Sequence, residues 1–278
     1  MANEHSHPVR ILIINPNAST HMTDALKPVV DALGYPSAEY TYFTSPSPGI
    51  PSINSPSDAA TSAEICLPAL IPLLAHHDAF LVACYSEHPL VPLLKRECAA
   101  LTGSATSGTQ CQSARKHVTG IFEASILSCL SLLTEKEDGF GIVSTGKVWE
   151  EALPSAVESF LGIPSPGVSV GASPAGRFHG CETTGLNASE LHDLPTEEVR
   201  EKMMDATKRL LGRGAPVEGS GSKVKAICLG CAGMVGLEEA VRSACGEELG
   251  PDAGKEVHIV DGVKAGVGVL YGLAKGGF

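Results

Sequence analysis

The chain has 278 residues, 43% of them hydrophobic and 18% charged, enough apolar material for a sizeable core and too much for an intrinsically disordered chain. At ~150 residues per domain, the length predicts two domain-sized units or one large α/β domain. With 20 basic and 31 acidic residues the formal charge is −11 and the pI about 5.3, which argues against non-specific binding to nucleic acid or an anionic membrane.

Met1 to Pro8 reads as a flexible polar tail without the apolar stretch of a secretory signal. No run of ~18 uninterrupted apolar residues occurs, so no membrane-spanning helix is expected. Nine cysteines, an odd number, favour free thiols in a reducing compartment, and a cytoplasmic location is expected.

Val9 to Asn15 (VRILIIN) is an apolar run predicting a strand buried on both faces. Pro16-Asn17-Ala18-Ser19 breaks it and offers caps for a helix near 18–33. A strand at Ala38 to Phe43 and a Pro- and Ser-rich loop from Thr44 to Ser57 follow. A helix over 58–75 contains Pro68 and Pro72, which predict a kink or break. Ala79 to Cys84 (AFLVAC) reads as a buried strand and Pro89 to Ala100 as a helix. Thr102 to Ser113 lacks apolar periodicity and reads as an exposed loop. A short strand is predicted at Val118 to Ile121, a helix at Glu123 to Leu133, a strand at Phe140 to Ser144 and a helix over 147–160. Residues 162–195 are loop-rich, with one candidate strand. An amphipathic helix spans Thr196 to Leu211, and Gly212 to Ser222 reads as a flexible link. Val224 to Gly230 (VKAICLG) and Glu256 to Val260 are the last strands, with helices at Val235 to Cys245 and Gly262 to Ala274. Strands alternating with helices predict a parallel, doubly wound α/β architecture.

In such sheets, ligands bind beyond the carboxyl ends of the strands. Those turns carry Asn15-Pro16-Asn17, Cys84-Tyr85-Ser86-Glu87-His88, Ser144-Thr145-Gly146 and Gly230-Cys231-Ala232-Gly233. Two turns therefore hold a cysteine between the end of a strand and the start of a helix. Backbone N–H groups and a helix dipole there are expected to favour thiolate and lower its pKa from ~8.5. Two such thiols facing across a cleft suit a two-base 1,1-proton transfer. One thiolate takes a proton from a carbon acid and a thiol on the opposite face returns one, with no metal or organic cofactor.

Rival readings are weaker. Free cysteine usually acts as a small buried hydrophobe, the expectation for Cys66, Cys98, Cys129, Cys228 and Cys245. Cys111 and Cys181 fall in apparent loops. Cys228 and Cys231 form a CxxC, but Cys228 lies inside a strand and no second ligand pair completes a metal site. His76 and His77 point apart on a helix end. Ser86 lacks a GxSxG elbow. Gly266-Val267-Gly268 lies within a helix and is no dinucleotide fingerprint. His88 is a candidate for tuning Cys84, and Glu123 either orients a pocket group or serves as a helix N-terminal acid.

Several segments carry a family likeness: ILIINPNAS at 11–19, ACYSEHPL at 83–90, GIFEAS at 120–125, FGIVSTG at 140–146, TTGL at 183–186, LGCAGM at 229–234 and IVDGV at 259–263. In this order they resemble the aspartate/glutamate/hydantoin racemase superfamily, and within it the hydantoin and allantoin racemase branch. The resemblance implies two similar Rossmann-like lobes with mainly parallel sheets and an interlobe active site. It suggests residues 9–117 plus 235–278 for one lobe and 118–234 for the other. It implies Cys84 and Cys231 as the acid/base pair. Asn17, Ser144 and Thr145 are implied near the substrate, with the N–H groups of Tyr85, Ser86, Ala232 and Gly233 holding its oxygens. The implied activity is cofactor-independent racemisation of a 5-substituted hydantoin, allantoin or related cyclic amide by a homo-oligomer. An amino-acid racemase, a maleate-isomerase-like or decarboxylase-like enzyme with the same cysteines, or a non-catalytic ligand-binding protein are the alternatives. The chain departs from the family pattern at Ser86-Glu87-His88-Pro89, where bacterial members usually carry a Gly-Asp-Pro-Gly-like turn, and at 101–114, which looks inserted.

Overall fold

The computed structural model describes residues 7–103, 115–162, 174–213, 222–234 and 236–278. Among the described residues the chain forms eight strands in two parallel sheets of the same internal order. The first sheet contains β1 (Val9–Asn15), β2 (Ala38–Thr44), β3 (Ala79–Val82) and β4 (His117–Gly120), ordered β2-β1-β3-β4. The second contains β5 (Gly139–Ser144), β6 (Phe178–Thr183), β7 (Val224–Gly230) and β8 (His258–Asp261), ordered β6-β5-β7-β8. Each lobe thus places its first and third strands side by side at the centre, so the turns after β1, β3, β5 and β7 are the central ones. That is where ligands gather in open α/β sheets.

Side-chain caps start several of the helices. Ser19 accepts from the Met22 N–H at 3.4 Å and starts α1 (Thr20–Asp31). Ser55 accepts from the Asp58 N–H at 3.1 Å and starts α2 (Pro56–Leu70). The predicted break appears after Leu70, where the chain tightens into a 3₁₀ turn at Ile71–His76 with Pro72 in its first turn. Together, Pro56–His76 reach the length and mean hydropathy, 1.4, of a membrane span, which the count of uninterrupted apolar residues does not signal. Its Ala63, Cys66, Leu70 and Leu74 pack with Leu12, Ile14, Phe80 and Val82 on one face of the first sheet. The chain continues through α3 (Leu90–Gly103), α4 (Ile121–Leu132), α5 (Trp149–Phe160), α6 (Glu190–Asp193), α7 (Thr196–Arg213), α8 (Glu238–Leu249), α9 (Pro251–Lys255) and α10 (Gly262–Gly276). Asp261 accepts from the Val263 and Lys264 N–H groups at 2.7 and 3.0 Å to cap α10.

The lobes share one core. Ile11, Ile13 and Leu81 of the first sheet join Phe122 and Ile126 of α4, Val263 and Val267 of α10, and Phe140, Ile142 and Cys228 of the second sheet. This continuous apolar contact holds the central turns of the two sheets in fixed relation.

Three expectations change. Residues 235–278 do not all belong with the first lobe, because β8 pairs with β7 in the second sheet, although α10 returns to pack on β1, β3 and β4. The suggested boundary at 117/118 cuts through β4, a strand of the first sheet. Cys181 is not in a loop but buried within β6. Cys111, most of the 101–114 stretch and most of Gly212 to Ser222 lie outside the described residues.

Candidate active site

The turns after β3 and β7 bring Cys84 and Cys231 to one cavity between the lobes. The first lobe contributes Asn17, Met22, Ile53, Ala83, Cys84 and Tyr85. The second contributes Thr145, Trp149, Ala188, Gly230, Cys231 and Ala232. No charged side chain is among them. Both thiols are half-buried at its wall, while Cys66, Cys98, Cys129, Cys228 and Cys245 are buried elsewhere as core residues.

Glycine at position 230 lets the second cysteine reach this wall. A Cβ there would lie 2.8 Å from the Val143 carbonyl oxygen and 2.9 Å from the Ser144 Cβ. The buried Ser144 hydroxyl donates to the Gly230 carbonyl at 2.9 Å. Ser144, expected near the substrate, is therefore a brace between β5 and β7 and does not line the cavity; Thr145 does.

The two sulfurs are supported differently. Cys84 Sγ lies 3.5 Å from the Ser86 hydroxyl oxygen. Cys231 Sγ accepts from the Gly233 N–H at 3.3 Å. The Ser86 N–H donates to the Cys84 carbonyl at 3.1 Å. The N–H groups of Ser86 and Gly233, expected to hold substrate oxygens, are thus engaged within their own turns. The N–H groups of Tyr85 and Ala232 have no acceptor among the described residues, and both residues line the cavity.

Burial pushes the Cys84 thiol up to about 12, against the Ser86 hydroxyl, with the charges of Cys231 and Glu123 adding to the rise. Burial likewise pushes Cys231 up to about 11, against the Gly233 N–H. The expected thiolate-favouring shift is therefore reversed. Neither cysteine stands at an α-helix N-terminus: α3 begins only at Leu90 and α8 only at Glu238. Loss of solvent then outweighs the single hydrogen-bond contact of each sulfur.

The other candidates have local roles. His88 Nδ1 accepts from the Leu90 N–H at 3.2 Å, so the neutral ring carries its proton on Nε2. Burial pushes it down to about 4, which removes the charge by which it would tune Cys84. Glu123 Oε2 accepts from the Gly120 N–H at 3.0 Å and serves as the N-terminal acid of α4. The Tyr85 hydroxyl pairs with the Ser125 hydroxyl at 2.9 Å, and its ring meets Phe122 edge to face at 5.7 Å. Those contacts tie the residue after Cys84 to α4.

Met22, Ile53, Trp149 and Ala188 were not singled out in the sequence. Trp149 carried a signal, as the one tryptophan of the chain, four residues beyond Thr145. Ile53 and Ala188 come from loops, where no periodicity reports their direction. Among the described residues, no three His, Cys, Asp or Glu side chains converge as metal ligands would.

Residues 11–270 match the family model for Asp/Glu/hydantoin racemases. The chain is 34% identical to the uncharacterized protein C1F7.10 of Schizosaccharomyces pombe over 268 residues, covering 96% of this chain and 92% of that one. It is 29% identical to protein DCG1 of Saccharomyces cerevisiae over 238 residues, covering 82% and 84%. Its fold is similar to an allantoin racemase from Klebsiella pneumoniae, with a TM-score of 0.68, 24% identity, and 97% and 89% of the two chains covered. An allantoin racemase from Pseudomonas fluorescens superposes with a TM-score of 0.66 and 23% identity over 97% and 92%. Two parallel lobes of matching strand order, a shared cavity at the ends of their central strands and a family match over nearly the whole length agree: this chain belongs to the Asp/Glu/hydantoin racemase family.

Proposed function

We propose that the protein is a racemase of an uncharged cyclic amide, a 5-substituted hydantoin or allantoin, working by proton transfer between Cys84 and Cys231 without a cofactor. The observation that carries this reading is one cavity with a half-buried thiol supplied by each lobe and no charged side chain among the described residues that line it. A free amino acid brings an ammonium and a carboxylate, and a malonate brings two carboxylates. A wall without charged side chains leaves such groups uncompensated on leaving water.

The reaction needs one thiolate and one thiol. The thiolate takes the proton from the carbon between a carbonyl and an amide nitrogen. The C–H electron pair moves onto the carbonyl oxygen as an enolate. The opposite thiol then gives its proton to the other face of that carbon, and the configuration inverts. The Tyr85 and Ala232 N–H groups serve as donors to the oxygens that gain charge, and losing one such donor typically costs ~10²–10³ in kcat. Burial makes each thiolate scarce near neutrality but strongly basic once formed, which suits a weak carbon acid.

Incubation of single enantiomers of hydantoins, allantoin and amino acids, and of malonates as achiral controls, in D₂O tests the reading. Chiral chromatography and NMR should show inversion, with deuterium entering the stereocentre, for the cyclic amides. A ligand that binds without deuterium incorporation indicates a binding protein on this fold. Turnover of the acyclic acids alone indicates another isomerase or lyase.

A further inference from the structure

Two asparagines stand at the end of β1, Asn15 as its last residue and Asn17 in the turn that follows, and of the two only Asn17 lines the cavity. Asn15 is 1% exposed and Asn17 6%. Their hydrogen bonds run to main-chain groups whose polarity is unambiguous, so the direction of both amides follows from chemistry. Asn15 Oδ1 accepts from the Asn17 N–H at 3.2 Å, and Asn15 Nδ2 donates to the Ser19 carbonyl at 3.0 Å. An N–H only donates and a carbonyl only accepts, so the reverse orientation of Asn15 opposes like to like at both ends. Thus oriented, Asn15 Nδ2 also donates to Asn17 Oδ1 at 3.0 Å and reaches Thr23 Oγ1 at 3.0 Å. Asn17 Oδ1 accepts a second bond, from the Ser19 N–H at 2.9 Å.

Both acceptor positions of Asn17 Oδ1 are then filled from inside the turn. Its Nδ2 lies 3.3 Å from Met22 Sδ, a weak acceptor that itself lines the cavity. The NH₂ is the end of Asn17 left for a ligand. We propose that Asn15 is a positioning residue that fixes Asn17 as a hydrogen-bond donor, and that the group seated against Asn17 is a carbonyl oxygen of the substrate, the one that gains charge as the proton leaves. This inference rests on the racemase reading for the reaction but not for the polarity of the amide. A ring N–H of the substrate is refused at this position, which orients a cyclic amide in the cavity.

Two measurements test it. In the free protein, hydrogen exchange of the side-chain amides, assigned by NMR, should be markedly slower for the Asn15 NH₂ than for the Asn17 NH₂. Equal rates, or the reverse order, overturn the inference. In racemisation assays, Asn17→Asp keeps both internal acceptor contacts but turns a donor into an oxygen, and kcat should fall on the order of 100-fold with a smaller change in KM. Asn15→Asp should also lower kcat, and the double variant should be no slower than Asn17→Asp alone, because one residue acts through the other. Losses that multiply, or an Asn15→Asp enzyme with unchanged kcat, overturn it. If Asn15→Asp does not fold, the exchange rates and Asn17→Asp decide the matter. Should the wild-type protein show the expected amide protection yet racemise no cyclic amide, the donor assignment stands and the racemase reading falls.

Discussion

The two lobes solve one problem with different atoms. Each orders its strands in the same way and presents a cysteine after its third strand. In the first lobe a side chain, the Ser86 hydroxyl, supports the sulfur. In the second the support is main chain, the Gly233 N–H. Next to each cysteine stands an N–H with no acceptor among the described residues, that of Tyr85 in one lobe and of Ala232 in the other. Repetition of backbone geometry with unrelated side chains indicates that the strand-end position matters more than the surrounding residue types. The lobes also differ after their first strands: one places Asn17 in the cavity, the other Thr145.

The largest expected effect tests whether the two halves are equivalent. Cys84→Ser and Cys231→Ser should each abolish racemisation while the protein stays folded, a loss in the range of ~10²–10⁴ or more for removal of an acid/base group. Each should still exchange deuterium into one enantiomer, and the two variants should differ in which one. Full racemisation by either variant would falsify the two-thiol assignment.

The pH profile comes next. Both thiols have their pKa raised above the usual 9.0, to about 12 and about 11, so the thiolate fraction grows as pH rises. The racemisation rate should climb from pH 7 towards the pKa of Cys231, about 11, instead of levelling near 9. The same sign holds for stability. A thiol with a raised folded-state pKa contributes fully below the unfolded value of 9.0 and loses its contribution as pH climbs to the folded value. Buried Cys98 and Cys245, both raised to about 11, add to that loss, so denaturant unfolding should show stability declining between pH 9 and 11.

Gly230→Ala should reveal how tightly the second cysteine is placed. Its Cβ would meet main chain at 2.8 Å, and overpacking of this kind typically costs ~1–3 kcal/mol, readable by chemical denaturation. The smallest effect is expected from Ser86→Ala. The Ser86 hydroxyl lowers the Cys84 pKa, so its removal should shift the alkaline limb upward and reduce the neutral-pH rate several-fold at most. A lobe whose support is main chain has no equivalent side chain to delete.

Much of this was legible in the residue order. Apolar runs such as VRILIIN and VKAICLG announce buried parallel strands, and Pro68 and Pro72 announce the break that occurs after Leu70. The cysteines at 84 and 231 stood out because each follows a strand. Less legible were contacts made by residues far apart in the chain. Ser144 looked like a ligand residue until its hydroxyl met the Gly230 carbonyl, 86 residues away. His88 looked like a partner of Cys84 until its ring met the Leu90 N–H in a buried turn. Cys181 looked like a loop residue because β6 has little periodicity in a Pro- and Gly-rich stretch.

Sequence alone determined the alternation of strand and helix, the acidic balance and the two thiols at strand ends, because these follow from local pattern and covalent order. Tertiary structure decided the electrostatics and the hydrogen-bond polarity of the cavity. A thiol's proton affinity depends on how much water the other lobe removes, and burial raised both cysteines where local reasoning lowered them. The donor face of Asn17 likewise exists only because Asn15 and the Ser19 main chain fold back to occupy its oxygen.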